Sequence, residues 1–137
     1  MQNAQTHNAG VIPDALLGRE ETVLVIEDDP GLQDTIRNVL EDFNYRPLVA
    51  DRGHEGVALW LKHRSEISAI ISDFNLPDED GDVVARTIRH YDPRVKIMIF
   101  SGAKPGELKR LPEGVPVLPK PARATQIAAF LKQLLET

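Results

Sequence analysis

Asp73 closes the apolar run Ala69-Ile70-Ile71-Ser72 and is followed at once by Phe74-Asn75-Leu76-Pro77. A short run rich in β-branched residues reads as a buried strand, and the proline-containing stretch after it as a loop. This puts a carboxylate at a strand's C-terminal mouth, the rim where open α/β sheets collect ligands and reactive groups. A lone Asp there is more often a polar residue that ends a strand and starts a turn. Company at the same rim changes that reading. Glu27-Asp28-Asp29 follow the apolar run Thr22 to Ile26, Ser101 follows Val95 to Phe100, and Lys120 follows closely on Val115-Pro116-Val117-Leu118.

Carboxylates converging at one edge repel each other and raise each other's pKa unless a cation neutralises them. Hard oxygen ligands with room for water and for a phosphate-bearing partner suit Mg2+ or Mn2+ rather than zinc. The expected ligands are Glu27, Asp28, Asp73 and the backbone carbonyl of Asn75. A hydroxyl from Ser101 and an ammonium from Lys120, aimed at the same acid, form a charge clamp for a phosphoryl group. Transfer of that group depends chiefly on positioning and on neutralising its oxygens. Asp73 is then the expected nucleophile, forming an aspartyl phosphate. Taken singly, Ser101 is a turn residue, Lys120 a surface charge and residues 27–29 a solvated loop that caps a helix. Five matched positions at one edge are harder to dismiss.

The elements that must position these groups are legible from periodicity. The continuous run at 22–26 predicts a strand buried on both faces. Asp29 before Pro30 suits an N-cap with proline at the first helical position, and Leu32, Ile36, Val39, Leu40 and Phe43 predict a helix over 30–43. A second strand covers 47–50. A second helix covers 53–64, weakened by Gly53 and Gly56, with Val57, Trp60 and Leu61 turned inward. Strand three is 69–73, and Val84, Ile88 and Tyr91 mark a third helix ended by Asp92-Pro93. Strand four spans 95–100. Pro105 and Pro112 then leave room for about one or two helical turns. A fifth strand at 115–118, with an edge-type proline, precedes a last helix over 124–136 that Arg123 caps poorly. Five strands alternating with five helices imply an α/β fold: a flavodoxin-like, doubly wound parallel sheet of order 2-1-3-4-5 with a shortened fourth helix.

Composition narrows the function. The 137 residues suit one domain with its own core, and the absence of cysteine excludes disulfides and thiolate metal sites. Sixteen basic residues against twenty-one acidic ones, a net charge of -5, argue against direct nucleic-acid binding. No apolar run approaches the roughly 18–20 residues needed to span a bilayer, and the start lacks a secretory pattern, so membrane insertion is not expected and a cytoplasmic location is. Residues 1–20 are polar and irregular and read as a flexible leader or linker, with room for a short helix around 14–17. His7, His54, His63 and His90 are scattered over expected surface positions and suggest no metal role.

The segments Val23-Leu24-Val25-Ile26-Glu27-Asp28-Asp29-Pro30, Ile71-Ser72-Asp73-Phe74-Asn75-Leu76-Pro77 with Gly81, Phe100-Ser101-Gly102 and Leu118-Pro119-Lys120-Pro121 resemble the receiver domain of two-component response regulators. The resemblance covers residues 21–137 closely enough to take them as a receiver domain, of the type found alone or at the C-terminus of hybrid histidine kinases. It implies that Asp73 is the phosphoacceptor, Glu27 and Asp28 the metal-binding acids, Ser101 the switch hydroxyl and Lys120 the family's characteristic lysine. It also implies a cis Lys120-Pro121 bond, a sensor histidine kinase or histidine phosphotransfer protein as the phosphoryl source, and phosphorelay signalling through protein contacts rather than turnover of an external substrate. Three departures stand out. Val117 occupies the place where receivers usually carry Tyr or Phe, Ala122 replaces a common aromatic, and the stretch from Ser101 to Lys120 is shorter than usual.

Other classes fit less well. A flavin binder needs hydroxyls and free amides after the first strand, where Glu27-Asp28-Asp29 would repel a phosphate. The nucleotide-binding pattern Gly-x-x-x-x-Gly-Lys-Ser/Thr is missing. An aspartate-nucleophile phosphatase carries a second acid two residues after its nucleophile, where Asn75 stands. A protein-interaction module that keeps the acids but never cycles is the remaining alternative.

Overall fold

The computed structural model describes residues 5–7 and 10–137. One sheet contains five parallel strands: β1 (Thr22–Ile26), β2 (Arg46–Ala50), β3 (Ile67–Ser72), β4 (Ile97–Ser101) and β5 (Val117–Pro119). Their order is β2-β1-β3-β4-β5, as expected. The chain therefore winds outward in opposite directions from β1 and β3, which opens a crevice beyond their C-terminal ends. Register levels that rim: Ile26 faces Ala50 on one side and Ser72 on the other, and Ser101 faces Pro119. Residues 27, 73 and 120 each lie one step past it.

The helices are α1 (Pro30–Asp42), α2 (Gly53–His63), α3 (Gly81–Tyr91) and α4 (Ala124–Glu136). Strand alternation sorts the core into two layers. Val23 and Val25 face α1 and α4, packing with Ile36, Leu40, Leu131 and Phe100. Leu24 and Ile26 face α2 and α3, packing with Trp60, Val84 and Ile88. Each such side chain contributes about 1.5–3 kcal/mol on full burial. The helix starts follow local chemistry. Asp29 accepts the Gly31 amide at 3.1 Å with Pro30 beside it, while the Arg123 amide at the head of α4 is taken by Gln126 Oε1 at 2.7 Å.

The expected shortened fourth helix is reduced to a 3-10 turn, Pro105–Leu108, between β4 and β5, so that the described residues form four α-helices rather than five; Pro105 and Pro112 bracket the stretch and remove helical donors. Arg86 Nη1 and Arg89 Nη1, on α3, hold this segment by donating to the Arg110 and Glu113 carbonyls at 2.7 and 3.0 Å. The inward faces of α2 and α3 are also narrower than their patterns implied. Trp60 is 2% exposed, but Leu61 and Tyr91 are 38% and 51% exposed. Tyr91 instead lays its ring against Trp60, centroids 6.4 Å apart.

Of the expected leader, residues 1–4 and 8–9 lie outside the described residues. Gln5–His7 and Gly10–Ile12 pair antiparallel, and Asp14–Leu16 form a 3-10 turn. From Ile12 onward the segment packs on the body. Ile12 is buried in the α1/α4 layer with Leu16 and Leu17 against it. Asn44 Nδ2 donates to the Gly18 carbonyl at 2.9 Å, and Lys132 Nζ to that of Leu17 at 2.7 Å. No helix among the described residues is long and apolar enough to cross a membrane.

Candidate functional site

The rim of the sheet brings its acids together through backbone pairing. The Asp73 amide donates to the Ile26 carbonyl at 2.9 Å, which sets the end of β3 beside Glu27, and the Glu27 amide donates to Ala50 at 3.0 Å. On the other side the Lys120 amide donates to the Ser101 carbonyl at 2.9 Å, just before the cis Lys120-Pro121 bond. Lys120 Nζ then reaches back across β4 and β3. It lies 3.3 Å from Glu27 Oε1 and 3.5 Å from Asp73 Oδ2.

Glu27, Asp28 and Asp73 each present a carboxylate oxygen within 4.8 Å of the other two. Three carboxyl groups thus share the cleft with one ammonium, that of Lys120, which lies against two of them. That shortfall, in a cluster of hard oxygens, is the setting in which a divalent cation is held. Glu27 is 2% exposed, and its carboxyl is raised above the ordinary range chiefly by burial, with the Asp73 charge adding to it. The Asp29 amide, donating to Glu27 Oε2 at 3.1 Å, and the Lys120 ammonium work against that rise. Asp73 is mostly enclosed, its side chain keeping 10% of its surface at the mouth.

The residues around Asp73 are tightly placed. The Asn75 amide lies 3.4 Å from Asp73 Oδ1, and Asn75 pairs with Asp80 across the loop. Gly81 closes that loop with its amide on the Phe74 carbonyl at 2.5 Å. A Cβ at residue 81 would lie 2.6 Å from the Asp73 carbonyl oxygen and 2.8 Å from Phe74 Cα. Only glycine fits. Ser101 is 1% exposed, and its Oγ accepts the Ala103 amide at 2.9 Å, which leaves the hydroxyl proton to be directed elsewhere.

The response regulator receiver domain family matches residues 23–132. This chain belongs to that family. A curated relative, the sensor kinase CckA of Brucella abortus, is 28% identical over 123 residues, covering 88% of this chain and 13% of the kinase. The receiver domain described here thus spans a small part of that relative's length. The solved receiver domain of the hybrid histidine kinase CckA has a TM-score of 0.72 at 27% identity, covering 83% of this chain and 98% of that one. The receiver domain of the sensor histidine kinase PA1611 from Pseudomonas aeruginosa has a TM-score of 0.76 at 24% identity, covering 85% and 98%. That structure has a magnesium ion coordinated in its active site cleft.

Of the residues expected from sequence, the cleft of this receiver domain gathers Glu27, Asp28, Asp73 and Lys120, with Asn75 and Ser101 adjoining. It also uses groups that sequence reasoning missed. Gln33 Nε2 donates to the Glu27 carbonyl and, at 2.7 Å, to Asp51 Oδ1, bracing the β1 loop from the first turn of α1. Phe100 lies under the Lys120 ammonium, 5.3 Å from centroid to Nζ. Its place directly before Ser101 was the available signal, but the run Val95 to Phe100 marked it only as the end of a strand. Arg86, bonded to the buried Asp82 at 2.8 Å, has no signal in the sequence that sets it apart.

Proposed function

We propose that this receiver domain accepts a phosphoryl group onto Asp73 from a phosphohistidine of a sensor histidine kinase or histidine phosphotransfer protein, and that the change alters its contacts with other proteins. The observation that supports this most directly is Lys120 Nζ placed between Glu27 and Asp73, which draws groups from both sides of the sheet into one cleft. In this reading Asp73 attacks phosphorus, a P–O bond forms as the P–N bond breaks, and the imidazole leaves with its electron pair. Mg2+ or Mn2+, when bound by the carboxylates of Glu27, Asp28 and Asp73 and the Asn75 carbonyl, supplies positive charge that offsets the crowded carboxylates and phosphoryl oxygens. Lys120 neutralises a further phosphoryl oxygen. Ser101, whose acceptor side is engaged by Ala103, donates its proton to another. The domain promotes its own phosphorylation and dephosphorylation and turns over no external substrate.

Residues 21–137 form the signalling unit, with the segment before them as leader, and the protein works in the cytoplasm. Phosphorylation shifts an equilibrium between two arrangements of the stretch after Ser101, since Ser101 and Lys120 gain a partner in one of them. The valine at position 117 carries no aromatic ring, so the output does not depend on an aromatic flip there. Incubation with phosphoramidate or acetyl phosphate and Mg2+, read by intact mass, tests the assignment. One phosphoryl group is expected on the wild-type chain and none on Asp73→Ala. A gain that persists in Asp73→Ala would refute Asp73 as acceptor, and no gain in either chain would favour a module that never cycles.

A further inference from the structure

Helix α2 begins without a cap of its own, since Arg52 at its N-cap position makes no side-chain bond to its first turn. The acceptor comes from a distant loop. Asp78 Oδ1 takes the Gly53 amide and Asp78 Oδ2 the His54 amide, each at 2.8 Å. One carboxylate thus satisfies two of the amides that any helix leaves open at its start. Burial works to raise the pKa of Asp78, but those two amides, together with its own backbone amide and the His54 charge, hold the carboxyl below its ordinary value.

The contact is built on both sides. The His54 ring spans the loop, with Nδ1 3.4 Å from Asp78 Oδ2 and Nε2 3.4 Å from Glu79 Oε2. A Cβ at Gly53 would lie 2.8 Å from Glu79 Cγ and 2.9 Å from Val84 Cγ2, so glycine permits the close approach. Asp78 stands three residues past Asn75, inside the loop whose ends are joined by the Asn75–Asp80 pairing and the Gly81–Phe74 bond. The loop that carries Asn75 is therefore held at the end of β3 and the start of α3, and between them at the start of α2.

We propose that Asp78 is a positioning residue for the cation site: by capping α2 from across the chain it fixes the loop that presents the Asn75 carbonyl, and so sets the affinity of the acidic cleft for a divalent cation. The inference rests on the cation-dependent reading given above. Groups that orient a ligand from behind change metal affinity by roughly 10- to 100-fold when removed. Coupling of this kind is reciprocal. If the cap favours the loop arrangement that binds the cation, the cation must favour the cap.

Calorimetric titration of the full chain with Mg2+, for wild type, Asp78→Ala and Asp78→Asn, reads the first half of that coupling. The dissociation constant is expected to rise on the order of tenfold in Asp78→Ala. A smaller rise is expected in Asp78→Asn, which keeps one of the two acceptor oxygens. Hydrogen exchange of the Gly53 and His54 amides in the wild-type chain reads the second half, and needs no variant to fold. Those amides are expected to exchange more slowly once Mg2+ is added, although neither residue belongs to the acidic cleft, and equally so in His54→Ala, which removes the imidazole of the separate His54–Asp78–Glu79 group. A residue that merely holds the fold together would lower Tm in both variants and leave the dissociation constant alone. Unchanged affinity in the folded variants, or exchange at Gly53 and His54 indifferent to Mg2+, overturns the role of Asp78 while leaving the acidic cleft intact. Failure of the wild-type chain to bind Mg2+ at all overturns the reading of the cleft itself, and this inference with it.

Discussion

Glu27 and Lys120 are the two residues whose charges the cleft must reconcile. A carboxyl whose folded-state pKa is raised binds its proton more tightly in the folded chain than in the unfolded one. The stability it contributes is complete below its ordinary value of 4.5 and is lost as pH rises through the raised value. In chelator, Glu27→Gln is therefore expected to melt above wild type at pH 7, with the difference shrinking toward pH 4.5. Thermal melts at the two pH values check this. Added Mg2+ is expected to favour wild type, since the amide gives up a charged ligand. Lys120→Ala removes the ammonium that faces both Glu27 and Asp73. It is expected to cost about 2 kcal/mol in urea unfolding without Mg2+, less than for a fully enclosed pair because Lys120 keeps some solvent. It should also slow phosphorylation from phosphoramidate roughly a hundredfold, in line with loss of one charge-stabilising donor.

Between β4 and β5 the receiver has a 3-10 turn where a shortened helix was expected, and its attachment to α3 decides how freely it can move. Arg86 and Arg89 hold it by two backbone carbonyls. Arg86 has a second task, pairing with Asp82, whose side chain is 4% exposed. Removing Arg86 leaves that buried carboxylate without its partner, whereas removing Arg89 frees only a carbonyl. Arg86→Ala is expected to cost about 2 kcal/mol and Arg89→Ala about 1 kcal/mol. Both should speed hydrogen exchange over residues 103–113, whose few buried apolar contacts give little other protection. Equal costs would show that the Asp82 pair contributes nothing. The loop from Asp73 to Gly81 behaves in the opposite way. A methyl at residue 81 has nowhere to go but into backbone, so Gly81→Ala is expected to cost about 2–3 kcal/mol and to displace the Asp73 carbonyl.

The whole molecule includes more than the sheet and its four helices. Ile12, Leu16 and Leu17 extend the α1/α4 layer beyond the residues that the family pattern covers. Tyr45 lies in that layer, and burial, helped by the charges of Glu21 and Glu136, pushes its hydroxyl up to about 12. A chain starting at Glu21 is expected to keep the fold but to lose about 2 kcal/mol, the contribution of one large buried aliphatic side chain. Its Tyr45 should titrate closer to the ordinary value of 10.0, which tyrosinate absorbance would follow. Unchanged stability and an unchanged titration would mean that the segment rests on the surface without completing the core.

Strand and helix order could be read directly from the sequence, because a parallel sheet buried on both faces needs unbroken β-branched runs, and β1 and β3 have them. The charged groups could be read for a related reason: Glu27, Asp73 and Lys120 fall immediately beyond strand ends, and strand order alone then places them at one rim. Side-chain reach could not be read this way. That Lys120 crosses to Glu27, 93 residues away, that Gln33 braces the β1 loop and that Asp78 caps α2 depend on distances between elements that no local pattern encodes. The docking of Ile12 was hidden for the same reason. A single apolar residue in a polar stretch has no periodicity, and only the open end of the α1/α4 layer makes it part of the core.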